Sequence, residues 1–237
     1  MNTLRFPAGL YGVTPEWDDT SRLLAAVRDA AAGGMRALQL RRKHLSREQR
    51  LRQARALAPL CRELGVTFIV NDDWRTALEA GADGAHIGRD DATLAEVRAA
   101  APGLLLGVSC YADLNRAREL LAQGADYIAF GAVFPSPTKP QAAHAPLALL
   151  GEAAAQVRAC GAPRPAVVAI GGITPANAGL VAAAGADSIA VITGLFEAPD
   201  IRAAAQACAA PFPPYRLEPC PETQNSSNAP AAAFLAA

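Results

Sequence analysis

The residues best equipped for chemistry fall in short clusters, each directly beyond an apolar run. In Gln39-Leu40-Arg41-Arg42-Lys43, alternate side chains of an extended chain point the same way, so Gln39, Arg41 and Lys43 face one place. An amide and two cations converging there read as an anion site, with a solvated basic turn as the plain alternative. Lysine usage sharpens the reading: the chain holds 20 Arg but only two Lys, Lys43 and Lys139, each just past an apolar run. A compact ammonium fits between phosphate oxygens where a broad planar guanidinium does not.

Carboxylates accompany these cations. Asn71-Asp72-Asp73 follows one apolar run and Gly88-Arg89-Asp90-Asp91 the next. Acids beside phosphate-binding cations suggest Mg²⁺, a hard ion that takes oxygen ligands and shares them with substrate phosphates. Asp72 and Asp91 are the expected ligands. Asp73, or Asp91 itself, could instead cap a following helix, the common task of Asp at such a place. Further along, the segment 131–140 carries three prolines around Ser136, Thr138 and Lys139, a stiffened loop that can hold anions at small ordering cost. Gly171-Gly172-Ile173-Thr174 and Ile192-Thr193-Gly194 complete the set, because glycine lets backbone N–H groups approach a phosphate closely. Two anion regions follow, one with a metal for a diphosphate and one for a monophosphate. The simplest chemistry uniting them is displacement of a Mg²⁺-bound diphosphate by a nucleophile on a phosphorylated partner.

The elements that must position these clusters alternate from end to end. Apolar runs begin at Gly9, Ala37, Val66, Gly84, Leu104, Tyr127, Ala166 and Ser188, and amphipathic stretches such as 47–64, 94–101, 114–122 and 176–184 separate them. Parallel strands covered by helices have this signature. Eight units in about 210 residues predict an α/β fold, a closed (β/α)₈ TIM barrel in a single domain, whose functional loops gather at the carboxyl ends of the strands. Loops seven and eight are the frequent phosphate site of that fold. Gly81-Ala82-Asp83, Gly124-Ala125-Asp126 and Gly185-Ala186-Asp187 recur between a helix end and the next strand, and read as turns on the opposite face. The barrel is expected to occupy residues 1–210. From Pro211 the pattern fails, and the Pro-rich segment 211–237 is expected to be a mobile tail or to lie over a neighbouring surface through Phe212, Tyr215 and Phe234.

Composition bounds the function classes. The chain has 237 residues, 51% of them hydrophobic, and 22 basic residues balance 22 acidic ones. A nucleic-acid or anionic-membrane binder would carry a basic excess, so neither partner is expected. The start lacks a secretory pattern and no apolar run reaches membrane-spanning length, which predicts a cytoplasmic protein. Five scattered cysteines fit neither a disulfide framework nor a zinc site, and His44, His86 and His144 lack helical metal spacing.

Taken in order, Gln39-Leu40-Arg41-Arg42-Lys43, Val70-Asn71-Asp72, His86-Ile87-Gly88-Arg89-Asp90-Asp91, Gly107-Val108-Ser109, 134–140 and Ile170-Gly171-Gly172-Ile173-Thr174 resemble the thiamine phosphate synthase family over roughly residues 9 to 209. The resemblance implies a transferase of thiamine biosynthesis that joins hydroxymethylpyrimidine diphosphate to thiazole phosphate with Mg²⁺, releasing diphosphate. By position, Gln39, Arg41, Lys43, Asn71, Ser109 and Lys139 would hold the pyrimidine diphosphate, Asp72 and Asp91 the metal, and Ser136, Thr138, Gly172, Ile192 and Thr193 the thiazole phosphate. The implied mechanism, in which diphosphate leaves before the thiazole nitrogen attacks, needs leaving-group stabilisation more than a general base. His144 departs from the arginine expected there.

Three rivals stand beside this reading. A thiazole tautomerase shares the barrel but uses a histidine where this chain has Ala132. A Schiff-base aldolase would need a lysine in a dry pocket, whereas Lys139 lies among prolines and hydroxyls. A catalytically silent sensor of thiamine precursors would bind without turnover. Oligomeric state is not legible, and a homo-oligomer stays open.

Overall fold

The eight apolar runs become eight parallel strands that close on themselves. A computed structural model describes residues 3–135 and 144–212. The strands are β1 (Gly9–Val13), β2 (Met35–Leu40), β3 (Thr67–Asn71), β4 (Gly84–Ile87), β5 (Leu105–Tyr111), β6 (Tyr127–Phe130), β7 (Ala166–Ile170) and β8 (Ser188–Val191). Each pairs with its sequence neighbour, and β8 pairs with β1 to shut the barrel. Around them run α1 (Thr20–Ala32), α2 (Arg47–Leu64), α3 (Trp74–Ala80), α4 (Leu94–Ala100), α5 (Leu114–Ala122), α6 (Leu147–Arg158), α7 (Ala178–Ala183), α8 (Thr193–Phe196) and α9 (Ile201–Ala209). The predicted (β/α)₈ barrel is the fold. Among the described residues, no helix is long and apolar enough to cross a membrane.

Two elements differ usefully from the sequence reading. β5 runs on through Ser109, Cys110 and Tyr111, shifting register against β6 between Ser109 and Tyr111, and so carries Ser109 as a strand residue. α7 starts at Ala178 rather than Ala176, because the Asn177 side chain accepts from the Thr174 N–H and donates to the Gly172 carbonyl, holding 172–177 as a turn. The recurrent helix-start residues behave as their types dictate: Asp19, Ser46, Thr93, Asp113 and Asp200 each accept a first-turn N–H.

Strand periodicity of two separates two cores. Outward residues pack under the helices in one large apolar layer. Inward ones, Tyr11, Val13, Ala37, Ile69, Tyr127, Ala129, Ala166, Val168 and Ala190, fill the barrel with Phe6. Phe6, from a segment to which the sequence reading gave no role, plugs the amino-terminal end: its ring lies 5.0 Å from Tyr11 and 4.2 Å from Tyr127. The neighbouring backbone is tied down by a bridge from Leu4 to Arg164. Cys61, Cys110 and Cys208 are buried free thiols and Cys160 is exposed; burial pushes the Cys61 and Cys110 thiols up to about 12. Cys220 lies outside the described residues, as does the expected tail from residue 213 onward. Phe212, just before it, packs against the outer core.

The Gly-Ala-Asp repeats have a more specific use than turn-making. Each glycine takes a positive φ: 69° at Gly81, 91° at Gly124 and 107° at Gly185. Each aspartate then reaches back to an N–H near the start of the preceding odd strand. Asp83 accepts from Phe68 at 2.7 Å, Asp126 from Leu106 at 2.9 Å and Asp187 from Val167 at 2.9 Å. Asp126 also pairs with Arg98, and Asp187 makes a two-pronged pair with the buried Arg164 at 2.7 and 2.8 Å.

Removing Asp187 takes the carboxylate from a buried guanidinium, which keeps the Pro165 carbonyl, and the acceptor from the Val167 N–H. Asp187→Ala should therefore lower unfolding free energy by about 3 kcal/mol, against about 1 kcal/mol for the exposed Asp83→Ala. Urea denaturation of the two variants checks the order.

Candidate active site

At the carboxyl ends of the strands lies a cavity of about 400 Å³ whose wall takes residues from all eight strand-and-loop units. Gln39, Arg41 and Lys43 all line it, as the alternation requires. Arg42, between them, turns the other way and is buried, bonded to Glu16, Asp18, Gln53 and the Trp17 carbonyl. The loop after β1 sets this geometry. Thr14 Oγ1 accepts from the Arg41 N–H at 2.9 Å, and Glu16 accepts from the Lys43 N–H at 3.0 Å while lying 3.7 Å from the Arg41 guanidinium. Thr14 and Glu16 escaped the sequence reading, because their role depends on a neighbour strand about 27 residues away.

The carboxylates stand next to these cations. Asp72, at a left-handed φ of 64°, sits 3.5 Å from Lys43 Nζ. Its side chain comes within hydrogen-bonding reach of Asp91, so the two acids predicted as ligands do meet. The Asp91 carboxyl titrates above the usual range: burial raises it first and the Asp72 charge adds to this, while the Gly88 N–H and Lys43 oppose. Gly88 permits the contact, since a Cβ there would lie 2.8 Å from Asp91 Oδ2. Asp73 instead caps α3, taking the Thr76 N–H at 2.9 Å and the Thr76 hydroxyl at 2.6 Å. Two adjoining carboxylates are an oxygen-donor pair suited to a hard divalent cation. Among the described residues there is no metal-binding group of three or more His, Cys, Asp or Glu.

The cavity floor is a buried polar chain. Gln39 Nε2 donates to the Tyr11 hydroxyl at 2.7 Å, Tyr11 meets the Tyr127 hydroxyl at 2.9 Å, Tyr127 meets His86 Nδ1 at 3.0 Å, and His86 Nε2 meets Ser109 Oγ at 2.9 Å. Burial pushes both phenols well above their usual range, so they stay protonated. Asn71, the partner of His86 across the β3–β4 ladder, also lines the cavity. Tyr11, His86 and Tyr127 were not singled out as site residues, since each lies in an apolar strand and reads as core. The inward parity His86 shares with Asn71 across the β3–β4 ladder was the available signal. At the rim the Arg89 guanidinium lies 4.7 Å over the Tyr111 ring.

On the far side the wall comes from β6, β7 and β8. Ile192 lines the cavity with Ala132, Ile170 and Gly171, while Gly172, in the loop after β7, and Thr193, the first residue of α8, adjoin these residues in the chain and are not among those lining it. Glycine makes this corner possible: a Cβ on Gly172 would lie 2.4 Å from the Pro135 carbonyl, and one on Gly194 2.6 Å from the Ile173 carbonyl. Phe134 N–H donates to the Gly171 carbonyl, hanging one loop on the next. Ser136, Thr138 and Lys139 lie outside the described residues. His144 is exposed.

Residues 10–195 match the family described as thiamine monophosphate synthase. The thiamine-phosphate synthase of Bordetella avium is 99% identical over 213 residues, covering 90% of this chain and 99% of that protein. The thiamine-phosphate synthase of Bordetella pertussis is 75% identical, covering 90% of this chain and 98% of its own. Among solved structures, the thiamine phosphate pyrophosphorylase of Pyrococcus furiosus superposes with a TM-score of 0.75 at 33% identity, covering 87% of this chain and 96% of its own.

Gly172 combines a φ of 64° with a carbonyl where a side chain would stand. Gly172→Ala should cost about 2 kcal/mol of stability, measured by urea denaturation.

Proposed function

The chain belongs to the thiamine monophosphate synthase family, and from that premise we propose that it joins hydroxymethylpyrimidine diphosphate to thiazole phosphate, giving thiamine phosphate and diphosphate. The observation that carries the reading is the meeting of Arg41, Lys43, Asp72 and Asp91 at one cavity wall. That wall suits a metal-bound diphosphate. Gln39, Asn71 and Ser109 line the same space and would orient the pyrimidine end, with Lys139 as a further cation. Gly172, Ile192 and Thr193, joined by Ser136 and Thr138, would take the second substrate's phosphate through loop N–H groups and hydroxyls.

The reaction then asks little of acid–base chemistry. The bond between the pyrimidine methylene carbon and the diphosphate oxygen breaks, its electron pair leaving with diphosphate, and the thiazole nitrogen supplies the pair for the new carbon–nitrogen bond. No proton has to be removed from that nitrogen. Arg41 and Lys43 hold the departing charge in place, and fixed cations aimed at developing negative charge lower the barrier without reorganising. Asp72 and Asp91, oxygen donors beside these cations, would hold Mg²⁺, with substrate oxygens and water filling its remaining positions. Bound there, Mg²⁺ would offset the diphosphate charge and make it a better leaving group. On the thiazole side Ala132 and Ile192 face the cavity and carry no base, which disfavours a tautomerase.

Supplying both phosphorylated precursors, with and without Mg²⁺, should give thiamine phosphate and diphosphate in equal amounts only when the metal is present. Asp72→Asn should cut turnover by about 10²-fold. Diphosphate released without thiamine phosphate, or a near-normal rate in the variant, would overturn the assignment.

A further inference from the structure

We propose that Tyr127 is a positioning residue: through Tyr11 and His86 it fixes Gln39 as the acceptor and Ser109 as the donor on the cavity floor, and so selects a ring that offers the complementary pair. Five residues from five strands make this chain with four hydrogen bonds of 2.7 to 3.0 Å. Tyr127 itself lies beneath the cavity, fully buried. Its ring is held from several sides, with Phe6 at 4.2 Å, His86 stacked at 5.6 Å and Tyr11 edge-on at 5.9 Å. Gly107 makes the remaining room: a Cβ there would stand 1.8 Å from Tyr127 Cζ.

Counting protons along the chain gives its direction. A phenol has one hydrogen to donate. Gln39 donates to Tyr11, so the Tyr11 hydrogen is available for Tyr127 and the Tyr127 hydrogen for His86 Nδ1. With Nδ1 accepting, a neutral imidazole carries its hydrogen on Nε2 and donates it to Ser109 Oγ. Ser109 keeps its own hydrogen for a ligand. At the opposite end the two hydrogens of the Gln39 amide nitrogen are turned inward, one to the Tyr11 hydroxyl at 2.7 Å and the other toward the Tyr127 hydroxyl, which leaves Oε1 to accept. The protonated state of both buried phenols keeps each link able to donate.

The floor therefore presents an acceptor and a donor whose identities are coupled across the barrel. A heteroaromatic ring with an exocyclic amine and a bare ring nitrogen matches them, whereas an oxo group with a ring N–H meets like with like. This deepens the functional reading above and rests on it for the substrate, though the proton order rests on the chain alone. Without the Tyr127 hydroxyl, Tyr11 can donate back to a rotated Gln39 amide, and the bond that makes His86 Nδ1 an acceptor is lost. Both ends then lose their fixed character.

Two measurements on the full chain test this. The chain has three histidines, so nitrogen-15 NMR with a His86→Gln spectrum for assignment reads the His86 tautomer without substrate. Hydrogen on Nε2 is expected in the wild type and a mixture of tautomers in Tyr127→Phe; hydrogen on Nδ1 in the wild type overturns the proposal. The second measurement compares kcat/KM for the aminopyrimidine diphosphate and for its oxo analogue. Tyr127→Phe should reduce that discrimination about tenfold or more, through a raised KM for the aminopyrimidine, and leave KM for the thiazole phosphate unchanged. Tyr11→Phe, which cuts the next link, should do the same. Unchanged discrimination, or an equal loss on both pyrimidines, overturns it. A wild type with hydrogen on Nε2 that forms no thiamine phosphate would sink the functional reading while supporting the proton order.

Discussion

Closure of the sheet, completed where β8 hydrogen-bonds to β1, is the constraint on which the molecule's other features depend. In a closed barrel every second side chain of every strand points at the axis, and the interior must be filled from one end and opened at the other. Phe6, Tyr11 and Tyr127 fill the lower part. Gln39, Asn71, His86 and Ser109 follow on the same inward rows nearer the carboxyl ends. The aromatic plug thus becomes the floor of the polar cavity, and the two phenol hydroxyls are the point where apolar packing hands over to hydrogen bonding.

Above that floor the charges are arranged so that opposite signs hold each other. Glu16 draws Arg41 and Arg42 together, while Lys43 meets Asp72. Asp72 in turn crowds Asp91, whose raised proton affinity reflects burial first and then the Asp72 charge, with the Gly88 N–H and Lys43 opposing. Like charges this close repel, and Lys43, 3.5 Å from Asp72, offsets only part of that cost, since Asp91 still holds its proton more tightly than usual. Strain adds to this cost. Asp72 and Tyr111 are the described non-glycine residues with positive φ, each costing on the order of 1–3 kcal/mol, and both line the cavity. Stability is therefore supplied at the other end of the barrel, where Asp126 and Asp187 tie arginines and strand N–H groups together.

Much of this was legible from residue order, for reasons that differ by element. The strands announce themselves because a barrel strand is buried on both faces and reads as an unbroken apolar run. The parity of Gln39, Arg41 and Lys43 was readable because strand geometry alone decides it. The pairing of Asp72 with Asp91 followed from their being at the ends of adjacent strands. What sequence could not yield were contacts set by register across long separations, such as Tyr11 with Tyr127, 116 residues apart, or Glu16 beneath the second strand's cations. The longer β5 was missed because Ser109 and Cys110 interrupt the apolar pattern while continuing the ladder. The later start of α7 was missed because an asparagine side chain, rather than backbone propensity, holds the turn before it.

The phenol pair also bears on why the barrel centre is not simply apolar. Replacing two hydrogen-bonded hydroxyls by ring hydrogens removes a net contribution of only about 1 kcal/mol per bond, whereas leaving one partner unpaired costs about 1–3 kcal/mol. A wholly hydrocarbon filling of the same shape would hold the strands nearly as well. It would remove the hydroxyls that hold the Gln39 amide in one rotation and the His86 imidazole in one tautomer, since a neighbour decides which end of an amide faces the cavity and which imidazole nitrogen carries the hydrogen. Hydroxyls 2.9 Å apart at the centre add little to the barrel's cohesion beyond that of their rings. Their consequence is felt at the cavity, where the direction of one proton determines what the walls on both sides can recognise.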